Sequence, residues 1–240
     1  QTITNNDAIV CEGIPVDIDY LTPTENGDIT LTATYPAGVT GSVNYTGQSI
    51  GAAGTISETL DNPTSSPQIV TYTFTTDANG CTPAVTSVNV TVDPTPTFTG
   101  TPYSQTICSG QALGFNPTSD VTGAVYTWTS APVANITGNT ATGSGTITDV
   151  LINTGDAVET VTYVLTVTGP SPESCVSPTT ENFVVTVNPT PEQTITNNDA
   201  IVCEGIPVDI DYVTPTENGD ITLTATISDR LQPGVVYTTF

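Results

Sequence analysis

Five cysteines carry the reactive chemistry of this chain: Cys11, Cys81, Cys108, Cys175 and Cys203. Cys11 and Cys81 lie 70 residues apart, and Cys108 and Cys175 lie 67 apart. Two cysteines at matching places in successive stretches predict one structural disulfide in each, Cys11 with Cys81 and Cys108 with Cys175. Cys203 is left unpaired. Such bonds imply an oxidising, extracytoplasmic setting. Closing a loop of that length is worth about 4 kcal/mol in the chain-entropy account. Buried free thiols are the alternative. A metal site fits less well, because no cysteine has a second cysteine or a histidine beside it.

Carboxylates are the other candidates. Asp7, Asp17, Asp19, Glu25, Asn26 and Asp28 offer the oxygens that Ca²⁺ takes in sets of six to eight. Against calcium, Asp17 and Asp19 alternate on an exposed strand face, and no Asp-x-Asp-x-Asp-Gly loop occurs. The same two residues are i and i+2 on one sheet face, as a glycosidase carboxyl pair could be. That chemistry needs a cleft, which a convex sheet does not supply. The chain has no His, no Lys and a single Arg, Arg230, against 24 acidic residues, for a formal charge of −23. Without His, the usual general base and commonest transition-metal ligand are missing. Lys-dependent Schiff bases and isopeptide cross-links are excluded too. Phosphate neutralisation fails for want of cations, so nucleic-acid binding is excluded. No apolar run is long enough to insert this segment in a bilayer. The expectation is a non-enzymatic chain with no cofactor, calcium remaining the one candidate ion.

These residues sit in a sequence that repeats. Residues 193–226 copy residues 1–34 with one change, Leu21 to Val213, at an offset of 192. A weaker copy lies between: Ile107-Cys108-Ser109-Gly110 answers Val10-Cys11-Glu12-Gly13, and Val187-Asn188-Pro189-Thr190-Pro191 answers Val92-Asp93-Pro94-Thr95-Pro96. A period near 95 residues is the size of a small domain with its own core, not of a solenoid unit. The predicted units are 1–96, 97–191 and a partial third, 192–240.

Period-two alternation dominates and no helical period appears. Ile14, Val16, Ile18 and Tyr20 face one way; Ile29, Leu31 and Ala33 repeat the pattern, as do Val70, Tyr72 and Phe74, then Val88, Val90 and Val92. Val161 to Val167 and Phe183 to Val187 are the counterparts in the second unit, and Trp128 is expected to plug its core. Tyr20, Tyr35, Tyr45, Tyr103 and Tyr126 could form a sugar-stacking platform, but most run in phase with apolar neighbours and read as core. Short strands at this density predict tandem immunoglobulin-like β-sandwiches, an all-β fold in an extended array. Pro94 and Pro96, then Pro189 and Pro191, make short stiff linkers between units. In the third unit, Ile227 onward resembles Ile56 onward, as though residues 35–55 of the first unit were skipped after Thr226. Either the third unit is joined across a missing stretch, or it is an incomplete domain that accepts a strand from a neighbour. The chain begins in mid-pattern at Gln1 and is expected to be an interior stretch of a longer protein.

The order Cys-x-Gly, Gly-x-Gly-Thr-Ile-x-Asp-x-Leu-x-Asn (Gly143 to Asn153), Val-Thr-Tyr-x-Leu-Thr, Cys and Val-Thr-Val-Asn-Pro-Thr-Pro resembles the PKD-like repeats of giant surface adhesins of gliding Bacteroidota. The Trp-Asp-Phe-Gly-Asp-Gly signature of ordinary PKD domains is absent. The resemblance implies an extracellular stalk or filament on the bacterial surface, exported by type IX secretion and used in attachment or gliding motility. Its partners would be neighbouring repeats, with surface glycans or other copies of the chain as further candidates. Two other readings stay open: a fibre subunit assembling by strand exchange, and a carbohydrate-binding module of a secreted hydrolase.

Overall fold

Alternating burial along each strand decides the architecture. In the computed structural model, which describes residues 1–22, 29–76, 82–192, 194–199, 201–203, 205–213 and 224, every element is a strand, turn or extended segment. The first unit contains β1 (Thr2–Asn5), β2 (Ile9–Cys11), β3 (Ile18–Leu21), β4 (Ile29–Thr34), β5 (Thr40–Gly41), β6 (Thr46–Ser49), β7 (Ala53–Ile56), β8 (Leu60–Asp61), β9 (Gln68–Thr76) and β10 (Ala84–Asp93). One sheet runs β1-β3-β7 and the other β2-β10-β9-β4-β6, with a short β5–β8 pair. All pairings are antiparallel except β2 with β10, which is parallel.

The inward positions are those the alternation names. Val16, Ile18, Tyr20 and Ile56 come from one layer; Ile29, Leu31, Val70, Tyr72, Phe74, Val90 and Val92 come from the other. Burying each of these aliphatic or aromatic side chains is worth roughly 1.5–3 kcal/mol. Ile14 departs from expectation and is 54 % exposed. Gly13 (φ +82°) turns the chain just after β2, with the Ile14 N–H donating to the Cys11 carbonyl, so Ile14 falls out of the strand's alternation.

The second unit follows the same plan. Its strands are β11 (Phe98–Thr99), β12 (Tyr103–Cys108), β13 (Thr118–Ser119), β14 (Val125–Ser130), β15 (Ile136–Thr137), β16 (Thr142–Ser144), β17 (Ile152–Asn153), β18 (Glu159–Thr168) and β19 (Glu181–Asn188). The large sheet is β12-β19-β18-β14-β16, again with the first edge strand parallel to the last strand. Facing it are the β15–β17 pair and the bridges Ala112–Val150 and Phe115–Ile147. Trp128 is buried edge-to-face on Tyr163 (5.4 Å between centroids), and Phe115 stacks on Phe183 at 3.8 Å. Gly143 is paired with Trp128 across β14–β16; a Cβ there would come within 2.1 Å of the indole, so only glycine fits.

In the third unit β20 (Thr194–Asn197) pairs with β21 (Ile210–Val213) in the register that β1 keeps with β3. The skipped stretch expected after Thr226 lies outside the described residues.

Candidate functional site

The parallel edge strand determines where the cysteines go. β2 ends beside the end of β10: Cys11 is registered with Asp93, and the Glu12 N–H donates to the Asp93 carbonyl at 2.9 Å. Cys11 belongs to the start of the unit in sequence but emerges at its C-terminal pole. The paired ends of β9 and β10, Thr76 and Ala84, lie at the opposite pole. From Ala84 to Asp93 an extended strand covers about 30 Å.

One bond overturns the pairing expected from spacing. Cys11 bonds Cys175 of the second unit, with Cα atoms 5.6 Å apart and 164 residues of sequence between the two positions. Cys175 lies in the β18–β19 hairpin, at the N-terminal pole of its own unit, which faces the C-terminal pole of the unit before. Backbone bonds from Gly169 N–H to the Cys175 carbonyl (2.7 Å) and from Ser174 N–H to the Pro170 carbonyl (3.2 Å) hold that hairpin in shape. The expected Cys108–Cys175 bond is excluded in turn, and Cys108 is an exposed thiol, as is Cys203. Cys81 lies outside the described residues.

Around the bond the joint is tight and acidic. Pro94 and Pro96 are buried and carry the alternation of β10 onward in extended form. The Thr95 N–H donates to the Glu12 carboxylate at 3.2 Å, and the Thr97 N–H and hydroxyl donate to Asp120 at 2.8 and 2.7 Å. Linker residues are thus tied to both units. Burial pushes the Asp120 carboxyl up, but the Thr97 and Ser119 donors outweigh it and hold it below its ordinary value. Burial and a hydrogen bond shared with Asp61 raise Glu12; burial and the Glu173 charge across the joint raise Asp93. A cavity of about 150 Å³ lies between the units, lined by Pro67, Asp93, Pro94, Val121, Pro170 and Cys175 among others. Pro189 is buried and Pro191 exposed at the following linker.

A PKD-like domain model matches residues 8–96 and again 105–191, most of the chain. The chain belongs to the PKD-like domain family. No curated protein sequence matches it. Among solved structures, mouse protocadherin-24 EC1-3 is similar at 15 % identity, covering 98 % of this chain and 84 % of that one with a TM-score of 0.43. Mouse cadherin-23 EC22-24 is similar at 15 % identity, over 90 % and 76 % with a TM-score of 0.42.

The two complete PKD-like units share an internal latch that the sequence showed only as a motif. In Thr-Ile-x-acid-x-Leu-x-Asn the acid is Glu58 or Asp149. Glu58 is almost fully buried and accepts from Tyr72 (2.5 Å), Tyr35 (3.1 Å) and the Val43 N–H (3.4 Å). Burial raises the Glu58 carboxyl despite these donors, and burial with the neighbouring carboxylate raises the Tyr72 hydroxyl. Asp149 accepts from Tyr163 (2.8 Å) and from the N–H (2.7 Å) and hydroxyl (2.6 Å) of Thr140. The motif asparagines do a second job: Asn62 donates to the Val92 carbonyl at 2.8 Å and Asn153 to the Val187 carbonyl at 3.0 Å, each stitching the last strand to the opposite layer. The recurrence of acid, Asn and Tyr at one spacing in both units was the available signal.

The remaining candidates are not gathered into a site. Asp19 is exposed, accepts from the Thr55 hydroxyl (2.6 Å) and Asn6 (3.0 Å), and is held below its ordinary value by those bonds. Asp7, Asp17 and Asp19 do not form a three-ligand cluster among the described residues; Asp28, Glu25 and Asn26 lie outside them. Tyr20, Tyr45 and Tyr103 are buried, Tyr35 is committed to Glu58, and Tyr126 packs on Phe98 at 6.2 Å.

Proposed function

We propose that this chain is a spacer segment of a large secreted bacterial surface adhesin, a stalk that sets reach and carries tension during attachment or gliding. The observation that carries this reading is the covalent bond between two consecutive PKD-like units, Cys11 to Cys175. A binding module gains nothing from being bolted to its neighbour, whereas a tether gains resistance to extension. The near-verbatim copy of residues 1–34 at 193–226 supports the same role, since duplication adds length without adding chemistry. A surface polar through Thr, Ser and Asn, and strongly anionic, keeps neighbouring chains apart in the extracellular medium.

The test is made on intact cells of the source organism with antibody raised against the full chain. Surface labelling, and loss of attachment or gliding when the encoding segment is deleted, are the expected results. Label confined to permeabilised cells, or unimpaired attachment and movement after deletion, would refute it.

A further inference from the structure

Cys108 is placed as Cys11 is placed, bond for bond. Cys11 is registered with Asp93 and Cys108 with Asn188, each at the end of the parallel edge strand. The next residue donates to that strand-end carbonyl in both units, Glu12 to Asp93 (2.9 Å) and Ser109 to Asn188 (2.8 Å). Gly13 and Gly110 share φ +82° and donate to Leu60 and Leu151 at 2.9 and 2.8 Å. Ile14 and Gln111 close the same turn onto the cysteine carbonyl, as Ile206 does onto Cys203 (3.1 Å). Between Cys11 and Cys108 only the bonded state differs: Cys11 is joined to the next unit, while Cys108, like Cys203, presents an exposed thiol. The Pro-x-Pro linker that sets the spacing of the first joint recurs as Pro189 and Pro191.

We propose that Cys108 and Cys203 each form the same bond with the hairpin cysteine of the repeat that follows them, so that successive repeats are connected by a ladder of inter-repeat disulfides. The receiving cysteine is the counterpart of Cys175; Cys81 holds that place in the first unit, 94 residues earlier. The inference rests on the spacer reading for its purpose, but not for its chemistry. Each bond forms by exchange with a disulfide oxidant, a protein or small-molecule disulfide of the extracytoplasmic compartment. The Cys108 thiolate attacks one sulfur of the oxidant and displaces the other as a thiolate. The hairpin thiolate then attacks the Cys108 sulfur and expels the second. Two thiols lose two protons and two electrons, and the oxidant leaves as a dithiol.

The test inserts after Pro191 of the full chain a second copy of residues 97–191 marked by the exposed substitutions Ser104→Thr and Thr180→Ser, oxidises the product, blocks free thiols with iodoacetamide and maps cross-linked peptides by mass spectrometry after Glu-C and Asp-N digestion. Expected are Cys11 linked to the first Cys175, the first Cys108 linked to Cys175 of the inserted copy, and both Cys203 and the inserted copy's own Cys108 alkylated. The unextended chain should show Cys108 alkylated. In the unextended chain, Cys175→Ser should make Cys11 react with maleimide within about threefold of the Cys108 rate. Recovery of alkylated Cys108 from the first copy overturns the proposal, as does that Cys108 bonded to the Cys175 of its own unit. Loss of both links also overturns it, because a repeating joint must survive an added repeat. Cell-surface display is untouched by any of these results, so failure here leaves the spacer reading to its own test.

Discussion

Replacing Cys175 by Ser should change how far the chain extends under load. In the oxidised protein the covalent path enters at Gln1, reaches Cys11 and crosses directly to Cys175. The residues between them carry no tension, whatever happens to their folds. Breaking the bond returns 164 backbone steps to the path. At about 3.5 Å per extended residue this is roughly 570 Å of added contour length. The assay is single-molecule pulling by the chain ends, comparing oxidised protein with Cys175→Ser after thiol alkylation. Rupture peaks for the first and second units should be missing from the first and present in the second. Bonds confined to single units would give a different number: Cys175→Ser would then free only the 67 steps from Cys108, roughly 230 Å. An increment near that value, or none, refutes the reasoning.

Glu58→Ala leaves the buried Tyr72 hydroxyl without its acceptor, while Tyr35 keeps the Val43 carbonyl, and should cost about 2–3 kcal/mol of first-unit stability in urea titration. Gly143→Ala drives a methyl into the Trp128 indole and should cost roughly 2–3 kcal/mol, with a shift of tryptophan fluorescence reporting the displaced ring. Glu173→Gln should lower the NMR titration midpoint of Asp93 toward the ordinary carboxylate range while leaving it above, since burial persists. Asp93 and Glu12 are raised in the folded state, so the stability they contribute is complete at acid pH and is lost as pH rises through their raised values. In the Cys175→Ser background, the first two units should therefore melt at a lower temperature at pH 7 than at pH 4.5, and Glu173→Gln should shrink that difference.

The layered core was legible because burial on one face imposes a period of two, and Val16-Ile18-Tyr20 or Val161 to Val167 show it without interruption. Ile14 misled for a local reason, a left-handed Gly13 whose turn delays the inward pattern until Val16. The disulfide partners were not legible. Spacing within a repeat says which positions are equivalent, not which poles they occupy, and the poles follow from a parallel pairing of β2 with β10 that leaves no mark on either strand's composition. The roles of Glu58 and Asn62 were half visible: their recurrence as Asp149 and Asn153 marked them, but their partners Tyr72 and Val92 lie 14 and 30 residues away, at separations no local pattern encodes.

The placement of the first and last strands side by side also bears on synthesis. Cys81 leaves the ribosome 70 residues after Cys11, whereas the true partner follows after 164. At about 5–20 residues per second the Cys11 thiol waits on the order of ten seconds or more. A nascent first unit that completes its sandwich in that interval fixes Cys11 beside Asp93 at its C-terminal pole, where the second unit arrives. Correct pairing is then secured by the order in which folded units appear, and an oxidant acting before β10 has docked would trap the shorter, wrong loop.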